Sequence, residues 1–260
     1  MLILVTNDDG IQSLGLVALA RALRRVGRVY VVAPDRERSA ASHSLTLHKP
    51  LRADPVGARS FAVSGTPTDC VTLGVMALLP KAPDVVFSGI NRGGNLGDDV
   101  TYSGTVSAAM EGTIHGIPSV ALSLVGEPPY YFEGAARLAA RLAGQIRREG
   151  LPPETFLNVN VPNRRHGAAG VKVTVLGRRV FRPNAIVRKN DPRGRAYYWI
   201  GANRAEWHPG ADTDHAAIEA GFASITPVHL DLTRYSAVAP LQAWESKLSS
   251  RRGSARPGPR

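Results

Sequence analysis

The sequence predicts an α/β fold: a Rossmann-like, doubly wound and mostly parallel sheet with an extended β excursion in its C-terminal half. Three observations predict it. Short apolar runs alternate with segments of helical periodicity from the first residues to Val161. Several of these runs end in a polar or glycine-rich turn that leads into a helix. Beyond Pro162 the alternation gives way to strand-like segments broken by proline and glycine.

Leu2–Val5 reads as a buried strand, Asn7-Asp8-Asp9-Gly10 as a polar turn, and Leu14–Arg25 as an amphipathic helix. Arg28–Ala33 is a second strand, followed by a polar loop of small residues from Asp35 to Ser44. Leu45–Leu47 and Phe61–Ser64 alternate like a hairpin or an edge pair. Thr66-Pro67 with Asp69 three residues after the cap starts a helix that runs to about Leu79. Its core candidates are Val71, Leu73, Val75, Met76 and Leu79, with Cys70 as a packed thiol. Asp84–Ser88 is the next strand, opening a glycine-rich loop from Gly89 to Thr105 and then a helix over Val106–His115. Strand Pro118–Leu124, helix Phe132–Glu149 and strand Phe156–Val161 complete the wound core.

The chain divides into a Rossmann-like core over 1–161, an excursion over 162–245 that reads as a second lobe, a lid or an oligomer contact and returns to the core, and a basic disordered tail over 246–260. Within the excursion, Val171–Val175 and Tyr197–Ile200 alternate like strands around a basic stretch from Arg178 to Arg195. A short helix to about Ala220 follows, and Ser224–Val228 returns.

Composition narrows the class. An apolar content of 43% with 20% charged residues is enough to build a core. No apolar run reaches the roughly 18 residues of a membrane span. The N-terminus lacks a signal-peptide pattern, and one cysteine cannot form an internal disulfide, so a cytoplasmic protein is expected. The net charge of +11 favours an anionic ligand, and part of it sits in the tail, where Lys247, Arg251, Arg252, Arg256 and Arg260 face no acid. Zinc-finger, basic-zipper and RRM patterns are missing, as are GxGxxG, GxxxxGK[ST] and GxSxG.

What remains is a site at the carboxyl ends of parallel strands, where doubly wound proteins bind ligands. Asp8 and Asp9 are adjacent carboxylates at a strand end. They either cap the following helix or hold a divalent cation that offsets their repulsion. The first loop supplies Asn7, Asp8 and Asp9, and the second supplies Ser39, Ser42 and His43. The third holds Asn91, Asn95, Ser103, Gly104 and Thr105, with hydroxyls and N–H groups before a helix suited to an anion. His43 reads as a surface or hydrogen-bonded histidine, and Asp98-Asp99 as solvated. Carboxylates for a metal beside donors for a phosphate describe metal-assisted phosphoryl transfer, with Asn7 and Ser42 among the substrate-binding candidates.

VTNDDG, APDRERSAASHSLTL, SGTPTDCVTLG and PDVVFSGINRGGNLGDDVTYSGTVSAAMEG, in that order, resemble the SurE family of stationary-phase survival proteins. DPRGRAYYWIG and GFASITPVHLDLT carry the resemblance to about Thr233. It implies a divalent-metal-dependent 5'/3'-nucleotidase, a phosphoric monoester hydrolase acting on nucleoside monophosphates, with Mg or Mn as the metal. It implies metal ligation by Asp8, Asp9, Ser39 and Asn91, and phosphate contacts from Asn95, Ser103, Gly104 and Thr105. It also implies a homodimer or homotetramer built with the C-terminal half, and nucleic acid as at most a minor substrate. Asp8 and Asp9 are then the catalytic pair, holding the cation that activates a water, with Asp9 as a candidate proton acceptor. Two rival readings stand: a non-catalytic sensor that binds metal and a phospho-ligand, and a nucleic-acid binder driven by the tail. Chelator-sensitive hydrolysis separates the first, and steep salt dependence lost on truncation at Ser246 identifies the second.

Overall fold

The structure, a computed structural model, describes residues 1–180, 186–200 and 206–249. The strands are β1 (Leu2–Thr6), β2 (Arg28–Pro34), β3 (Ala53–Gly57), β4 (Ser60–Val63), β5 (Val85–Arg92), β6 (Ser119–Val125) and β7 (Thr155–Pro162), then β8 (Val171–Val173), β9 (Arg179–Val180), β10 (Ile186–Asn190), β11 (Ala196–Ile200), β12 (Glu206–Trp207) and β13 (Ala223–His229). The helices are α1 (Leu14–Leu23), α2 (Pro67–Leu73), α3 (Gly104–Ile114), α4 (Phe132–Glu149), α5 (Asp214–Glu219), α6 (Tyr235–Gln242) and α7 (Glu245–Ser249).

Nine strands form one sheet in the order β3-β4-β2-β1-β5-β6-β7-β13-β8. The β4-β2-β1-β5-β6-β7 stretch is parallel throughout, as the βα alternation predicts. In β1, Ile3 and Val5 pack with α1 and α4 on one face, while Leu2 and Leu4 pack with α2 and α3 on the other. Strand residues buried on both faces are what an all-parallel sheet requires. Helix α4 covers Phe132–Glu149, the predicted span, with its alanines at 135, 136, 139 and 143 on the sheet.

The excursion does return to the sheet. β13 pairs antiparallel with β7, and β8 pairs parallel with β13 at the edge. β10 and β11 make a separate hairpin, and β9 pairs with β12. Contacts group Met1–Leu230 as one compact unit and Asp231–Arg260 as a second, which contains α6 and α7. Residues 246–249 of the expected tail are helical in α7, and 250–260 lie outside the described residues.

Two expectations are corrected. Leu45–Leu47 is not a strand; the edge hairpin uses β3 instead. Asp69 captures that segment, accepting from Thr46 N at 2.9 Å and Thr46 Oγ1 at 2.6 Å, and Leu47 is left exposed. The helix expected to reach Leu79 is α-helical to Leu73 and then widens into a π turn over Gly74–Leu78. Gly74 lies against Leu4, where a Cβ would come within 2.9 Å of Cδ2, and Met76 in the widened turn is exposed rather than in the core.

Candidate active site

Three βα turns at the carboxyl edge of the sheet build one cavity of about 470 Å³, lined by Asp8, Asp9, Ser39, Asn91, Asn95 and Ser103 among others. Asn7 shapes the first turn rather than lining the cavity: its Nδ2 donates to Gly10 O at 3.0 Å and to Ser13 Oγ at 2.7 Å. Ser13 in turn caps α1, accepting from Leu16 N at 3.2 Å.

Asp8 is 6% exposed and is held by the start of α3. Its Oδ1 accepts from Thr105 Oγ1 at 2.6 Å and its Oδ2 from Thr105 N at 3.2 Å. Burial pushes its pKa up, the Thr105 hydroxyl pulls it back, and the charge of Asp9 pushes it up again. Thr105 and Gly104 therefore stand behind Asp8, not in the cavity wall. Both donors of Thr105, expected to contact phosphate, serve the Asp8 carboxylate here. Gly104 is required there, since a Cβ would lie 2.9 Å from Asp8 Cβ.

Asp9 is divided between two tasks. Its Oδ1 accepts from Arg92 Nη2 at 3.0 Å and Nε at 3.2 Å, while its Oδ2 is buried with no partner. The same contact raises the pKa of Arg92, whose Nη2 also lies 3.6 Å from Glu37 Oε2.

The third turn is set by a bulge in β5. Gly89 pairs with Leu122 and Asn91 with the next residue, Ser123, so Ile90 is extra. Such a bulge re-aims the residues after it. Ile90 is locked by α1, because a Cβ on Gly15 would sit 2.1 Å from Ile90 O. Asn91 Nδ2 donates to Gly93 O at 2.9 Å, which leaves its carbonyl oxygen as the end available in the cavity. Asn95 is buried: its N–H donates to Asn160 Oδ1 at 2.9 Å, its Nδ2 to Ser123 Oγ at 2.7 Å, and its carbonyl accepts from Asn158 and Asn160. One Nδ2 hydrogen remains for a ligand. Ser103 caps α3, accepting from Val106 N at 3.1 Å, so its own hydroxyl hydrogen is unspent.

The second loop brings Ser39 to the cavity, where Oγ donates to Glu37 Oε1 at 2.6 Å. Ser42 does not line the cavity; its Oγ donates to Thr101 O at 2.9 Å and ties the second loop to the third. His43 is bonded, not free: Nε2 lies 2.8 Å from Glu111 Oε2 on α3. Thr72 also donates to Glu111 at 2.8 Å, and the His43 bond holds the Glu111 carboxyl below the usual range. The loop that carries Ser39 is thus pinned to the helix that holds Asp8.

Sequence reasoning passed over Glu37, Arg92, Tyr102 and Tyr130 and read Asp99 as solvated; all five line the cavity. Asp98 and Asp99 are not merely solvated. Arg179 N donates to Asp98 Oδ2 at 2.7 Å and Arg179 Nη1 to Asp99 Oδ1 at 2.6 Å. Asp214, fully buried, accepts from Gly97 N at 2.8 Å and Gly177 N at 2.9 Å. The excursion therefore buttresses the glycine-rich loop. Only Asp212-Thr213-Asp214 before a helix hinted at this, and nothing local told which loop they would hold.

Four carboxylates (Asp8, Asp9, Glu37 and Asp99) and one guanidinium line the cavity, so an anionic ligand needs a cation to enter. The donors suit a hard divalent ion: two carboxylates, a buried carboxylate oxygen without a partner, a hydroxyl and an amide carbonyl. Among the described residues no group of three or more His, Cys, Asp or Glu is placed for a metal; Ser39 and Asn91 bring neutral oxygens to the same cavity.

A family model described as "Survival protein SurE" matches residues 3–183. The chain is 56% identical over 248 residues to the 5'-nucleotidase SurE of Geobacter sulfurreducens, covering 94% of each chain. It is 54% identical to that of Geotalea uraniireducens, covering 94% of this chain and 99% of the relative. The crystal structure of the SurE protein from Aquifex aeolicus superposes with a TM-score of 0.85 at 43% identity, over 94% of this chain and all of that one. With the sheet order, the paired aspartates and these matches over nearly its whole length, the chain belongs to the SurE family.

Proposed function

We propose that the chain is a divalent-cation-dependent phosphomonoesterase that hydrolyses nucleoside 5'- and 3'-monophosphates to nucleoside and phosphate. The observation that carries this reading is the buried, unpartnered Oδ2 of Asp9 beside Asp8, in a cavity whose acids outnumber its bases. Relatives named 5'-nucleotidase at 52–56% identity support the same reaction class. Asp8, Asp9, Ser39 and Asn91 would hold the cation. A bound divalent ion supplies Lewis-acid polarisation of a phosphoryl oxygen and lowers the pKa of a water. Thr105 fixes the orientation of Asp8, and Arg92 fixes that of Asp9 while leaving Oδ2 without a partner. Asn95 and Ser103 offer unspent hydrogens to phosphoryl oxygens, where developing charge is stabilised. Mg or Mn fits the oxygen donors best.

The excursion is proposed as the oligomer contact of a homodimer or homotetramer, since Tyr198, Trp199 and Ile200 on β11 are exposed. A cytoplasmic setting agrees with a single cysteine that is buried and kept as a thiol by burial. Among the described residues no helix is long and apolar enough to cross a membrane.

Phosphate release from nucleoside 5'- and 3'-monophosphates, with EDTA and then with Mg or Mn restored singly, tests the proposal. Metal-dependent release confined to monophosphates is expected. No release under either metal would overturn the enzyme reading in favour of a binding protein.

A further inference from the structure

A second polar region lies along α4. Two adjoining clefts of about 290 Å³ and 540 Å³ run between α4 and the segment that leads into β8, and they share Leu138, Arg141 and Val171. Arg137, Arg141 and Arg148 of α4 line them, with His166 on the facing wall, and among the described residues no carboxylate does. On a helical wheel the three arginines fall within about 40° of one another, and roughly 16 Å of helix separates the first from the last. Arg137 and Arg141, one turn apart, are exposed, and neither has an acid partner among the described residues. Like charges at this spacing repel. The acids of α4 line neither cleft: Glu133 lies one turn before Arg137, and Glu149 accepts from Gln145 Nε2 at 2.6 Å while Gln145 Oε1 accepts from Arg148. Two glycines of α4 line these clefts. Gly134 lies so close to the facing loop that a Cβ would come 3.1 Å from Gly167 Cα, and at Gly144 a Cβ would meet only Arg148. Both sit inside a helix, where glycine is unfavourable.

We propose that this arginine-lined cleft is a second ligand site, distinct from the catalytic cavity, for a molecule carrying two or more linked phosphates. Guanidinium groups match phosphate oxygens bidentately, and a row of them spread over such a length exceeds what one phosphate can span. Among the described residues no Phe, Tyr or Trp lines the clefts, whereas single-stranded nucleic acid is held by aromatic platforms. The floor instead carries Leu138, Leu142, Val171 and Ile225, aliphatic groups able to cover one face of a base. The linked phosphates can therefore come from a free oligophosphate or from a nucleoside polyphosphate. The site stands independently of the nucleotidase reading, because none of its residues lines the catalytic cavity.

The test is calorimetric titration of the full chain carrying Asp8→Asn, with EDTA present so that phosphate chains persist. The titrants are orthophosphate, tripolyphosphate, a nucleoside triphosphate and a single-stranded oligonucleotide. Tripolyphosphate or the triphosphate binding at least tenfold tighter than orthophosphate, weakening as salt rises, is expected. Arg137→Gln with Arg141→Gln should lower that affinity at least tenfold and leave monophosphate hydrolysis by the otherwise wild-type chain unchanged. Tighter binding of the triphosphate than of tripolyphosphate assigns the aliphatic floor to a base; equal binding assigns the site to the phosphate chain alone. The proposal is overturned by equal affinity for orthophosphate, by an unaltered affinity in the double variant, or by the oligonucleotide binding tightest. A change in sedimentation mass of the double variant with no change in ligand affinity would make the cleft a subunit contact and overturn it as well.

Discussion

The acidic cavity and the α4 cleft share no lining residue and have opposite chemistry. The cavity has four acids against one arginine, its Asp8 and Asp9 carboxylates are buried and braced, and its ligands arrive from three separate turns. The cleft has three arginines and no acid among the described residues, and its charges project from one helix into solvent. A buried carboxylate must be held in place by hydrogen bonds or it neutralises. Asp8 and Asp9 accordingly have dedicated donors in Thr105 and Arg92, and the more exposed Glu37 and Asp99 accept from Ser39 and Arg179. An exposed guanidinium remains charged without help, so a row of them needs no scaffold beyond helical periodicity. One region is demanding to build and intolerant of change; the other is simple and tolerant.

The largest effect that would break this contrast lies in the cavity. Asp8→Asn should lower kcat/KM for a nucleoside monophosphate by about a thousandfold or more while circular dichroism and thermal midpoint stay near wild type. Turnover within tenfold of wild type would remove Asp8 from the metal set. Arg92→Gln frees Oδ1 of Asp9 and should weaken the apparent metal affinity by about 10- to 100-fold, the range for residues that orient a ligand. Metal titration of activity reads this directly, and an unchanged midpoint would show that Asp9 is held without Arg92.

Thr105→Val sharpens the comparison through pH. The Thr105 hydroxyl lowers the Asp8 pKa, so its loss raises a value that burial has already lifted. A protonated Asp8 cannot bind a cation, so the acid limb of metal-dependent activity should move to higher pH. A limb that stays in place would mean that another group controls it. The smallest effect concerns the pinned loop. Glu111 has a folded pKa below its unfolded value, so its stabilisation is present above the unfolded pKa and is lost as pH falls through the folded one. Glu111→Gln should cost about 1 kcal/mol near neutral pH and flatten the acid-side loss of stability, as urea midpoints measured across pH would reveal. Equal costs at every pH would assign Glu111 to packing alone.

Local pattern carried the parallel core, the span of α4 and the three loops that meet at the cavity, because buried strands and amphipathic helices leave periodic traces. It also carried Asp8, Asp9, Ser39 and Asn91 to one edge of the sheet, since strand polarity fixes where βα turns emerge. It could not assign Leu47, whose alternation was overruled by Asp69 more than twenty residues away. Nor could it separate the residue that touches a ligand from the one that holds it. Thr105 and Ser103 flank the same glycine, yet one lies behind Asp8 and the other in the cavity wall. Arg92, Asp214 and the His43–Glu111 bond act across 83, 117 and 68 residues of chain, distances at which sequence has no period to read. Sequence alone determined the fold class and which turns bear the acids, because both follow from local periodicity. Tertiary structure decided which carboxylate oxygen is left without a partner, because that depends on which distant donors the packing delivers.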